Sequence, residues 1–96
     1  MLEWSTFKPG RLYVFMDPRG GSIGGFASRE EGDLQWKAIG PSTSLSPGKS
    51  PDSFVHHHSV LGEFDSLEEA KKEVEARTRS GDYSSEEEVG VDTRHI

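Results

Sequence analysis

The 96 residues are 31% apolar and 29% charged, with a net charge of −6, which bounds the chain to one small domain burying about 60–65% of its unfolded surface. The absence of cysteine excludes a disulfide framework, a thiolate zinc site and a thiol nucleophile. No apolar run approaches the ~18–20 residues of a membrane span, and the first residues lack a signal-peptide pattern, so a cytoplasmic setting is the default expectation. Residues 80–96 hold five acids against one base, whereas the other positions hold twelve acids and ten bases. The acidity is therefore a property of the tail.

In chain order, residues 11–16 are rich in aromatic and aliphatic side chains and read as a buried strand. Asp17-Pro18-Arg19-Gly20 then has proline and glycine where a type I turn prefers them. Residues 22–27 form the return strand, whose Gly24 and Gly25 predict a bulge or a close backbone approach. Residues 34–39 alternate with period two and put Leu34, Trp36 and Ala38 on one face. The Pro/Gly/Ser-rich stretch 40–52 has no periodicity and predicts a flexible loop. Alternation resumes over 54–61, with Phe54, His56, His58 and Val60 on one side and the strand ending at Phe64.

Ser66-Leu67-Glu68-Glu69 is a capping box, and Leu67, Ala70 and Val74 fall on one face of the helix that follows. The pair Glu73–Arg77 has the favourable i,i+4 orientation, and Gly81 can supply the left-handed residue that ends a helix over 66–79. Residues 81–96 offer only Tyr83, Val89, Val91 and Ile96 for burial, which predicts a disordered acidic tail. The expected fold is α+β: one domain over 1–80, an antiparallel meander of three or four strands with one C-terminal helix packed on one face. Its core should be Trp36, Leu12, Val14, Phe64, Leu67 and Val74.

Three patterns invite a chemical reading. On a strand, His56 and His58 project to the same side, roughly 6.5–7 Å apart, close enough for two-point chelation but short of the three protein ligands of a metal centre. The glycine run Gly20-Gly21-Ser22-Ile23-Gly24-Gly25 lacks the following helix and Lys-Ser/Thr of a phosphate loop. Ser84-Ser85-Glu86-Glu87-Glu88 places an acid three residues after each serine, the substrate pattern of casein-kinase-type enzymes. No nucleophile, base and orienting acid share a telling spacing, so neither catalysis nor a cofactor is expected.

Trp36-Lys37-Ala38 followed by Leu61-Gly62-Glu63-Phe64-Asp65-Ser66-Leu67-Glu68-Glu69-Ala70 resembles the ethylene-responsive-factor DNA-binding domain and its integrase arm-binding relatives, over about half the chain. That resemblance implies a three-stranded sheet lying in the major groove, a role that Trp36 and Lys37 would carry. The chain departs from the family in having no base over 22–27 and a long stretch between strands. Phosphate contact depends on several Lys or Arg, and the near-neutral fold with its acidic tail lacks that footprint. The sequence therefore points to a non-enzymatic, protein-binding accessory or regulatory module, with Trp36, Lys37, Tyr13 and Phe15 as candidate anchors. A nucleic-acid-binding sheet, or weak metal binding at His56 and His58, are the alternatives.

Overall fold

Residues 2–94 are described by the structure, a computed structural model. Six antiparallel strands form one sheet in chain order: β1 (Glu3–Lys8), β2 (Leu12–Met16), β3 (Ile23–Ser28), β4 (Trp36–Pro47), β5 (Ser53–Phe64) and β6 (Glu87–Arg94). Among the described residues one helix, α1 (Leu67–Ser80), lies between β5 and β6 in sequence and packs on β3, β4 and β5. The class is α+β as the sequence predicts, with more strands than the three or four expected. No helix among the described residues is long and apolar enough to cross a membrane.

Local signals account for the first half. The turn after β2 closes with the Gly21 N–H donating to the Asp17 carbonyl at 2.9 Å, while the Asp17 carboxylate accepts the Arg19 N–H at 2.9 Å. Gly24 is the extra residue of a bulge, since Phe15 pairs with Gly25 and Met16 with Ile23. Gly25 has a different reason: a Cβ there would lie 2.6 Å from the Ile39 carbonyl oxygen and 2.7 Å from a Val74 methyl. Both expectations for this glycine pair, bulge and close approach, are met. In α1, Ser66 Oγ accepts the Glu69 N–H at 3.2 Å, and Gly81 at φ 73° closes the last turn by donating its N–H to Arg77.

Three expectations fail. Residues 40–52 are not a loop: β4 runs through to Pro47 and β5 begins at Ser53, leaving only a short hairpin tip. Serines and threonines pair as well as any residue through their backbones, and register shifts between Ile39 and Ser44 absorb Pro41, which has no N–H to donate. Residues 81–96 are not wholly a disordered tail either. Glu87–Arg94 pairs along β5, with Val89 opposite His58 and Val91 opposite His56, while residues 95 and 96 of that expected tail lie outside the described residues. Two valines spaced by one glycine suffice here because a neighbouring strand supplies the hydrogen bonds. At the other edge β1 went unpredicted; Trp4 pairs with Phe15 and their rings stack with centroids 4.9 Å apart.

The core between helix and sheet is Ala27, Trp36, Ala38, Leu61, Ala70 and Val74, with Phe64, Leu67 and Tyr83 packed against it. Of the expected core, Val14 is fully buried but on the other face of the sheet, and Leu12 is only half-buried there. Both pair with residues of the opposite face, Val14 with Phe26 and Leu12 with Ser28. Leu34 also leaves its expected face, since it precedes β4 in a turn and is 89% exposed.

Candidate functional site

The face of the sheet turned away from α1 carries the candidate site. Directly opposed residues on antiparallel strands share a face, so the row Val14, Phe26, Ile39 and Val60 crosses the sheet on that side. Val14 and Val60 are buried there, although no helix or second sheet of the described residues lies over them. Burial without a covering layer requires that neighbouring side chains curve round them. Between these strands and β6 runs a groove of about 410 Å³, lined by Leu12, Ile23, Phe26, Ile39, Val89 and Val91 together with Ser28, Ser42, His56 and His58. None of these is an Asp, Glu, Lys or Arg. Beyond the groove, Leu45 sits opposite His56 on the same face and is 60% exposed, so the apolar surface continues along β4.

The histidines divide between the two faces, as strand alternation requires. His56 and His58 point into the groove, their rings stacked with centroids 6.5 Å apart. His58 is buried, meets Phe26 edge-on at 5.4 Å and has Nδ1 2.9 Å from the Gly40 carbonyl. A carbonyl only accepts, so Nδ1 donates, and in the neutral ring Nε2 is left as the acceptor. His57 turns to the other side, with Nε2 2.8 Å from Ser46 Oγ and Nδ1 3.5 Å from a Glu88 carboxylate oxygen, a tie between β5 and β6. Among the described residues, no group of three or more His, Cys, Asp or Glu side chains converges where it could hold a metal ion.

The candidate anchors do not line the groove. Trp36 is 6% exposed within the core and lies beneath the Arg29 guanidinium, 4.7 Å from the ring centroid. Tyr13 packs 5.8 Å from Trp36, and its hydroxyl accepts the Gly10 N–H at 3.0 Å. Phe15 stacks on Trp4, and Lys71 Nζ covers Trp4 and Tyr13 at 5.3 and 4.9 Å. These aromatics are therefore spent on the helix side. Lys37 lies on the other face, between Ser28 and Glu63, beside a mixed-charge depression that also includes Asp33, Gln35 and Asp65. Of the residues that make the groove, Ile23 and Ile39 carried no expectation of binding in the sequence, and Val89 and Val91 were expected in a disordered tail. The alternation of Val89-Gly90-Val91 was the available signal.

The two carboxylates held below their usual range lie in turns away from the groove. Asp17 is lowered chiefly by the Arg19 N–H, and Asp82 chiefly by the Ser84 hydroxyl and then its N–H. Fold and groove together define a small antiparallel sheet domain with one helix on one face and an uncharged apolar groove on the other. Comparison of the chain with protein-family models, curated proteins and solved structures finds no match.

Proposed function

We propose that this chain is a non-enzymatic protein-binding module, acting in the cytoplasmic setting expected from its sequence, and that the groove is its docking surface. The observation that carries the reading is the groove's lining: large apolar side chains, no charged one, on a face that no other described element covers. Apolar patches of this kind on small proteins mark interaction sites. The occupant fitted by this chemistry is an extended, apolar, uncharged segment of a partner protein. A nucleic-acid backbone would need Lys or Arg in the groove to meet its phosphates. The continuation of the apolar face to Leu45 favours a chain segment over a small enclosed molecule.

A photo-crosslinking residue at Ile23 tests this in the native host, with one at the exposed Lys72 of α1 as control. The expected result is a discrete protein adduct at position 23, lost when Val91→Asp puts a charge into the groove, and no such adduct at position 72. Equal labelling at both positions, or an adduct indifferent to Val91→Asp, overturns the reading.

A further inference from the structure

The serine pair before β6 acquires a meaning from the structure that its acidic neighbours alone do not give it. Ser85 stands where the chain enters β6. Its hydroxyl donates to the Val60 carbonyl on β5, and its Oγ accepts the Glu87 N–H at 3.2 Å. It acts as a clasp at the start of β6, where the strand joins the edge of the sheet. Among the described residues β6 pairs with β5 alone, and it begins at the pairs Val60–Glu87 and Ser59–Glu88. Edge elements with few apolar contacts open locally at little free-energy cost, which would present Ser85 in the extended form a kinase requires. Glu86, Glu87 and Glu88 follow it directly.

We propose that Ser85 is a phosphorylation site for an acid-directed protein kinase, and that its modification releases β6 from the sheet. In the transfer, Ser85 Oγ forms a bond to the γ-phosphorus of a nucleoside triphosphate as the bond to the β-phosphate oxygen breaks. The nucleoside diphosphate leaves, and the hydroxyl proton passes to the kinase's base. The resulting phosphoserine carries about −1.5 to −2 charges and no longer has the hydroxyl proton it donated. It can only repel the Val60 carbonyl, and it sits among three carboxylates of its own sign. The phosphate can still accept the Glu87 N–H, but the bond that held the start of β6 to β5 through the Val60 carbonyl is lost and replaced by repulsion. Since Val89 and Val91 form one wall of the groove, strand release also dismantles the surface assigned above to a partner.

Ser84 differs. Its N–H donates to the Asp82 carboxylate at 2.9 Å and its carbonyl accepts from Arg77 at 3.2 Å, so it belongs to the turn after α1 and not to the strand.

The test uses the full chain, MgATP and an acid-directed Ser/Thr kinase of the casein-kinase type, with peptide mass spectrometry and amide hydrogen exchange as readouts. Expected are one phosphate on Ser85, none at that position in Ser85→Ala, and amide protection over 87–91 reduced at least about tenfold while α1 keeps its own. Ser85→Ala by itself should loosen β6 far less than the phosphate does, because it removes the clasp without adding charge. Glu88→Gln, which leaves the serine in place, should slow the modification about tenfold by removing the acid three residues on. Phosphate on Ser84 instead, no phosphate on either serine, or a Ser85 phosphate that leaves the protection of 87–91 unchanged, overturns the proposal. All of these readouts are taken without a partner, so the proposal stands or falls independently of the docking role.

Discussion

The two faces of the sheet differ in what lies over them and in the side chains that meet it. Where α1 lies, the strands present Gly25, Ala27 and Ala38 and the helix answers with Ala70 and Val74, so the two layers approach closely. On the uncovered face the same strands present Ile23, Phe26 and Ile39, and β6 adds Val89 and Val91. A chain of this size would gain most by covering its largest apolar residues, at about 25 cal/mol per Å² buried. Trp36 and the aromatics beside α1 are covered in this way, while Ile23, Phe26 and Ile39 are left on the open face. Small residues are what permit a helix to seat on a sheet, and the large residues opposite make a surface with apolar area still to bury. The contrast separates the half of the molecule that holds the fold from the half assigned to binding.

The contrast breaks most directly at Trp36. Trp36→Ala should cost about 3–5 kcal/mol in chemical denaturation, since it empties the centre of the covered face. Ile23→Ala on the open face, where the side chain is 44% exposed, should cost under about 0.5 kcal/mol. Equal losses would show that the open face is a second core. Gly25→Ala comes next. Its methyl group would meet the Ile39 carbonyl and Val74, neither of which can yield without moving helix or strand, so a loss of about 1–3 kcal/mol is expected. An unchanged denaturation midpoint would mean that helix and sheet are not seated as closely as the geometry requires.

Ser66→Ala sharpens the covered face from the helix's own end. Loss of the hydrogen bond that Oγ accepts from Glu69 N–H should cost about 1 kcal/mol. No change would move the start of the helix elsewhere. The smallest effect concerns pH. Asp17 and Asp82 have folded-state pKa values below the usual 3.8, so their ionised forms favour the folded chain. That contribution is complete above pH 3.8 and disappears as pH falls through the lowered values. Neither residue is buried, so the slope should be slight. Acid denaturation of Asp17→Asn should follow a flatter course below that pH, and a steeper one would reverse the sign of the linkage.

What could be read from residues alone was whatever a few neighbouring positions decide. Ser66 and Gly81 bound α1 because a cap satisfies backbone groups of the adjacent turn, and Asp17-Pro18-Arg19-Gly20 turns the chain through its own bonds. The bulge at Gly24 and the shared face of His56 and His58 followed from two-residue alternation and glycine's lack of a side chain. The remaining decisions needed partners distant in sequence. Residues 40–47 became strand because β5 lies alongside them, and 87–94 because β5 offered its other edge. Composition marked both as irregular, since polar side chains carry no sign of the backbone pairing they will find. Trp36 looked like an anchor by its chemistry and became core by its position, beneath Arg29 and beside Ala70 and Val74. Which face the helix would cover was not written in any one strand: it depended on small residues from β3, β4 and α1 meeting at one place, and the open groove is the other side of that choice.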